Sequence, residues 1–260
     1  MERDAPIPAP LNRPAFLRAL AAIGAGAVVG SGPLTRVDAR GATLTGSDRA
    51  ILRTAVLAEA LAVTAYTHII ATAPFYGRLF PQDQTYLQAA RQQEMAHYLL
   101  VRDLVGADAP SARFFYPKGM FASARTTLDT MVTLEETFIA AYLVGVRDFS
   151  IPELRVAAAR IMGVESDHRI MARVMAPGID PQDGGPLRTV AGAAGVAEAV
   201  DPASDNGFER TLGWTRVDQA IAALRPFADP KAAAAVGFDT ARPYRFQPFT
   251  PTLPTGLGAF

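Results

Sequence analysis

The chain of 260 residues has no cysteine, three histidines, two lysines (Lys118 and Lys231) and one tryptophan. Without cysteine there is no disulfide framework, thiolate zinc site, iron–sulfur cluster, lipoprotein anchor or cysteine nucleophile, so any metal must be held by carboxylates and imidazoles. An excess of one charge is also missing. Lys+Arg 25 balances Asp+Glu 25, which excludes a polycation built for nucleic acid. A hydrophobic share of 50% excludes a disordered chain. The length suits one core of bundle or sandwich size with appendages.

Residues 11–34 set Arg13 and Arg18 before an uncharged run, Ala19 to Leu34, rich in Ala, Gly and Val. This is the basic and then apolar order of an export signal. The run is shorter than the roughly 20 apolar residues of a membrane span, so no permanent anchor is expected after processing. A small-x-small site, Ala39-Arg40-Gly41, marks a cut, which gives an expected leader over 1–41 and an exported product, periplasmic, envelope-bound or secreted. The stretch Asn12-Arg13-Pro14-Ala15-Phe16-Leu17-Arg18 resembles a twin-arginine signal with Pro14 in the second arginine's place. The alternative is an ordinary first helix of the domain, which the lack of polar residues on any face disfavours.

From Ser47 to Met175 prolines fall only at 74, 81, 110, 117 and 152, and the intervals carry apolar residues at helical spacing. Four helices are predicted. The first runs from Asp48 to Thr72 after a Ser47 cap, the second from Pro81 to Val105 with Gly106 as its stop, and the third from Ala124 to Asp148. The fourth opens with Ser150-Ile151-Pro152-Glu153 as a capping box and ends before Pro177-Gly178. Short links make two antiparallel hairpins, and Gly106 to Ser123 makes one long crossover. The fold class is therefore all-α, a four-helix bundle over 46–176. An irregular extension, 177–260, has one short helix, Arg216 to Arg225, and a proline-rich tail that wraps the bundle or stays loose.

Two of the three histidines follow a glutamate by three positions, as Glu94-Met-Ala-His97 and Glu165-Ser-Asp-His168. Nine glutamates and three histidines in 260 residues predict about 0.1 such pairs by chance. Residues three apart share a helix face. The buried stripe of the second helix reads Leu87, Ala90, Glu94, His97, Val101, Leu104; that of the fourth reads Leu154, Ala158, Ile161, Glu165, His168, Ala172, Met175. A buried carboxylate must be neutral, paired or bound to a cation. Arg91 and Arg169 lie one step off these stripes, so a metal is the better counter-ion.

The other helices repeat a second pattern, Glu59 followed by Tyr66 and Glu135 followed by Tyr142. That shared spacing favours Glu135 over its neighbour Glu136, left as a solvated residue or one just behind the ligands. Tyr66 and Tyr142 sit two turns from their glutamates, placed to donate to a ligand carboxylate, to sit near bound oxygen species, or to serve as core aromatics. His68 falls on the opposite face, as a surface or helix-end residue. No Ser-His-Asp nucleophile survives, and no Gly-rich phosphate loop follows a strand.

The ordered set Glu59, Glu94-x-x-His97, Glu135, Glu165-x-x-His168 resembles the dimetal carboxylate site of the ferritin-like superfamily. The tyrosines, the leader and the segments Asn206-Gly-Phe-Glu and Ala222-Ala-Leu-Arg-Pro-Phe are similar to its exported bacterial ferritin-like domain proteins. The resemblance implies two divalent ions, Fe or Mn with Zn also possible. It places Glu59, Glu94 and His97 on one side and Glu135, Glu165 and His168 on the other. It further implies dioxygen or peroxide as partner, in metal oxidation, peroxide removal or oxidation of another substrate. A non-catalytic metal-binding or stress-related bundle and a metal-free interaction module stand as alternatives, and a homo-oligomer is compatible with each.

Overall fold

The computed structural model describes residues 43–179 and 213–252. The expected leader, the segment Asn206-Gly-Phe-Glu and the last eight residues lie outside the described residues. Helix α1 (Gly46–Thr72) starts from a capping box at Thr45 rather than at Ser47. The Thr45 N–H donates to Asp48 Oδ2 at 2.8 Å, and Asp48 N–H donates back to the Thr45 hydroxyl at 3.0 Å. Two otherwise orphaned donors at the helix start are thereby satisfied. Helix α2 (Pro81–Val105) begins with proline at its first position and stops at Gly106, whose left-handed φ of 70° a side chain would strain.

Helix α3 (Ala124–Asp148) is capped by Ser123, which accepts from Thr126 N–H at 3.3 Å. Helix α4 (Pro152–Ile179) corrects two expectations. Ser150 does not cap it, because its hydroxyl and N–H both go to Asp48, at 2.6 and 2.9 Å. That carboxylate therefore fastens the start of α1 to the α3–α4 turn. The helix also runs past Pro177, where the missing N–H removes one backbone bond near the helix end.

The hairpins α1–α2 and α3–α4 make the closest packing, α1 also touches α3, and α2 and α4 scarcely meet. At the α3–α4 contact Gly145 lies against Phe149, where a Cβ would fall 2.9 Å from the ring. Among the described residues α1 alone is long and apolar enough to cross a membrane. Its apolar surface, from Ile51 to Ile69, is buried inside the bundle.

The crossover carries strand β1 (Arg113–Phe114), which pairs antiparallel with β2 (Tyr244–Arg245). The described part of the extension thus wraps onto the bundle. Its helices are α5 (Val217–Ala228) and α6 (Pro230–Ala235), so the expected short helix continues through Pro226. Phe227 is buried there, and its carbonyl accepts from Phe115 N–H at 2.9 Å. Tyr116, fully buried, packs against Phe121, Phe227 and Tyr244 and donates its hydroxyl to the Leu61 carbonyl at 2.8 Å.

Candidate metal centre

Each bundle helix turns one glutamate into the core at the same level: Glu59, Glu94, Glu135 and Glu165 are all at most 2% exposed. The two histidines arrive one turn later on α2 and α4. His97 Nδ1 lies 3.5 Å from Glu59 Oε2, 3.8 Å from Glu94 Oε2 and 3.3 Å from Glu165 Oε1. His168 Nδ1 lies 2.7 Å from Glu94 Oε1 and 3.2 Å from Glu165 Oε2. Two groups able to hold a metal ion result, Glu59, Glu94, His97, Glu165 and Glu94, Glu135, Glu165, His168.

Each expected side, Glu59, Glu94 and His97 or Glu135, Glu165 and His168, falls within one of these groups, with the other side's central glutamate added. Glu94 and Glu165 belong to both groups, each turning one oxygen toward each histidine. The reason is geometric: α2 and α4 face each other across the bundle, so their mid-helix carboxylates reach the midline, while Glu59 and Glu135 approach from the flanks.

The tyrosines cross between halves. Tyr66 donates to Glu135 Oε1 at 2.6 Å, and Tyr142 donates to Glu59 Oε1. The remaining acceptors have no such donor. Glu59 Oε2, both Glu94 oxygens, Glu135 Oε2, Glu165 Oε1 and His97 Nδ1 are buried without an aligned hydrogen bond. Such atoms cost free energy unless a cation or proton meets them. His168 Nε2–H donates to Gln93 Oε1 at 2.8 Å, so a neutral His168 turns its Nδ1 lone pair toward Glu94 and Glu165. Lone pair against carboxylate is repulsive, and either a proton or a metal ion between them reverses the sign. Four carboxylates and two neutral imidazoles carry a charge that two divalent ions balance, and the mixed O and N donors suit Fe or Mn.

The titration behaviour has the same origin. Burial, reinforced by the Glu94 charge, pushes Glu59 up to about 8. Burial and the charges of Glu94 and Glu165 push Glu135 well above the usual carboxylate range. For Glu165, burial and Glu59 push upward, but the adjoining His168 and His97 imidazoles outweigh them and hold it low. Burial disfavours the imidazolium of both histidines, yet surrounding carboxylates raise both well above the usual value, Glu59 foremost for His97 and Glu94 for His168. Without metal the cluster is held together by protons.

Other polar side chains named from the sequence take definite places around the centre. Glu136 is not solvated: it is 7% exposed and accepts from Arg173 at 3.1 Å, with Arg169 at 3.9 Å. Arg169 is itself fully buried beside Glu136. His68, expected at the surface or the helix end, lies near the end of α1 and is half-buried, its ring 4.6 Å from Tyr244 and 5.7 Å from Phe121 under the wrapped extension. Arg91 serves that extension too, donating to Thr67 at 2.9 Å and lying 4.2 Å from the Phe249 ring. Gln93, adjacent to Glu94, carried no signal in the sequence beyond its position beside a ligand.

Comparison with known proteins matches residues 47–176 to the family model described as a ferritin-like domain. No curated protein and no solved structure matches the chain.

Proposed function

Since this chain belongs to the ferritin-like domain family, we propose that its core cluster holds two Fe or Mn ions and carries out redox chemistry with dioxygen or peroxide. The observation that carries the reading is the sharing of Glu94 and Glu165 by both ligand groups, because a carboxylate common to two ions couples them. Glu59 with His97 and Glu135 with His168 complete the two ends. When bound, such a pair supplies two electrons to an oxidant.

The protein's own residues do the rest. Tyr66 and Tyr142 each hold a proton on the flanking carboxylate of the opposite hairpin, which fixes that carboxylate's rotamer. Gln93 holds Nε2–H of His168, leaving Nδ1 free to bind. The apolar bundle around the cluster excludes bulk water, and His97, 13% exposed, lies nearest the solvent. The leader, Arg13 and Arg18 before an apolar run, supports export, so the site works outside the cytoplasm in this reading.

Elemental analysis of protein from its natural compartment tests the metals, with two Fe or Mn per chain expected. Dioxygen and peroxide consumption by the same sample tests the redox part; two metals without turnover make the protein a metal-binding bundle. Fractionation tests export, and an intact leader on cytosolic protein refutes it.

A further inference from the structure

Across the whole chain the charges balance, but in the two segments that meet in the β1–β2 ribbon they do not. Residues 110–118 and 236–249 carry Arg113, Lys118, Arg242 and Arg245 against a single acid, Asp239. Strand pairing sets Arg113 directly opposite Arg245. Side chains alternate across a strand, and the neighbouring pair turns inward, with Phe114 buried and Tyr244 packed on Phe121. Arg113 and Arg245 therefore share the outer face, and both are exposed.

Directly opposed residues of an antiparallel pair hold their Cβ atoms about 5 Å apart, where like charges repel. Among the described residues no carboxylate forms an ion pair with Arg113, Lys118, Arg242 or Arg245. Asp239 instead accepts from Ala241 N–H at 3.0 Å. On the inner side Phe246 packs on Tyr98, whose hydroxyl donates to Asp108 at 3.3 Å. The outer face thus keeps a repulsive pair without a counter-ion. Guanidiniums are planar forks that match the oxygens of phosphate, so an oxyanion seated between the two turns their repulsion into attraction.

We propose that the outer face of the β1–β2 ribbon is a binding site for a phosphate-type oxyanion, held by Arg113 and Arg245. Lys118 and Arg242, exposed on the same two segments, raise the local concentration of anions. Because β1 belongs to the crossover and β2 to the extension, a bound oxyanion also fastens the extension to the bundle. The site is independent of the metal centre and of its redox reading.

Inorganic phosphate, titrated into the full chain at constant ionic strength, tests this by calorimetry and by amide hydrogen exchange over residues 244–247. Saturable binding that slows exchange there is expected. Arg113→Gln combined with Arg245→Gln is expected to weaken binding at least tenfold, and the single variants serve where the double variant fails to fold. In phosphate-free buffer of low salt the variant is expected to melt no lower than the unmodified protein, because it has lost a repulsion. Stabilisation by salt excluded from the surface raises both proteins alike. Co-sedimentation with phosphatidylglycerol vesicles, absent with phosphatidylcholine and lost in the variant, assigns the phosphate of a lipid headgroup. Phosphate binding with no vesicle binding assigns a free ion. Absence of saturable binding to either overturns the proposal, as does unchanged affinity in a folded variant.

Discussion

Tyr66 on α1 donates its hydroxyl to Glu135 on α3 across 2.6 Å of buried space, although the glutamate at its own sequence spacing is Glu59. Tyr142 returns the bond from α3 to Glu59. The two Glu-x6-Tyr repeats are therefore exchanged between hairpins, so that each hairpin holds the other's flanking carboxylate. A hydrogen bond made this way ties α1 to α3 at the level of the site and orients the site in the same contact.

Tyr66→Phe and Tyr142→Phe are expected to behave alike. Each removes a hydrogen bond to a buried carboxyl group, a loss of about 1–2 kcal/mol, or roughly 5 °C in melting temperature for a domain of this size. Each is also expected to weaken metal uptake by about tenfold, as loss of a group that orients a ligand does. Melting curves and metal titrations of both variants check this. A large effect from one and none from the other would break the equivalence of the halves.

The bundle was legible because its signals are local. Proline and glycine bracket the helices, and glutamate and histidine three apart must share a face. The equal Glu-x6-Tyr spacing picked Glu135 over Glu136 for the same reason, since one residue of slip turns a side chain by about 100°. What escaped was tertiary. That the tyrosines cross follows from how α1 and α3 face each other, and the sharing of Glu94 and Glu165 follows from the distance between α2 and α4. The partial cover over His68 comes from Tyr244, far along the chain, and β1 and β2 are too short for any alternation to show. Glu136 stayed open between a solvated place and one just behind the ligands because its partner Arg173 lies on another helix.

The neighbouring pair Glu135 and Glu136 is expected to separate function from stability. Glu135→Ala removes a member of one ligand group and is expected to lower metal content from two toward one per chain. Glu136→Ala is expected to keep both metals, while withdrawing a carboxylate from two buried guanidiniums at a cost of about 3–5 kcal/mol. Elemental analysis and chemical denaturation of both variants check the split, and the reverse pattern would turn α3 by one residue.

Asp48 governs stability in acid. Burial raises its pKa, but hydrogen bonds from Ser150 and Thr45 outweigh this and bring it from 3.8 to about 2. A carboxyl group depressed on folding stabilises the protein above its unfolded pKa and loses that contribution as pH falls through the folded value. Asp48→Ala is therefore expected to cost about 2 kcal/mol near neutral pH. The gap from the unmodified protein should narrow between about pH 4 and pH 2. Denaturant midpoints across that range check it; a gap independent of pH would mean that the carboxylate is not the stabilising group.

The last prediction concerns protons and metals competing for one cluster. In the metal-free protein Glu59 is pushed up to about 8, Glu135 is raised above the carboxylate range, and His97 and His168 are raised above the usual imidazole value. All four bind protons more tightly folded than unfolded. Their contribution to stability is complete below the unfolded values and falls away as pH rises through the folded ones. Metal-free protein is thus expected to lose stability from about pH 5 to pH 8. Metal ions require the deprotonated ligands, so their binding releases protons and strengthens over the same range. Bound metal adds RT ln(1 + [L]/Kd), about 2.7 kcal/mol at a hundredfold excess. The melting temperatures of loaded and metal-free protein are expected to diverge as pH rises from 5 to 8 and to converge in acid. Calorimetric titration in buffers of different ionisation enthalpy is expected to count at least one proton released per metal. His97→Ala with His168→Ala should abolish most of the divergence with helix content unchanged. Parallel melting curves for loaded and metal-free protein across this range would mean that protons alone satisfy the cluster and that no metal does.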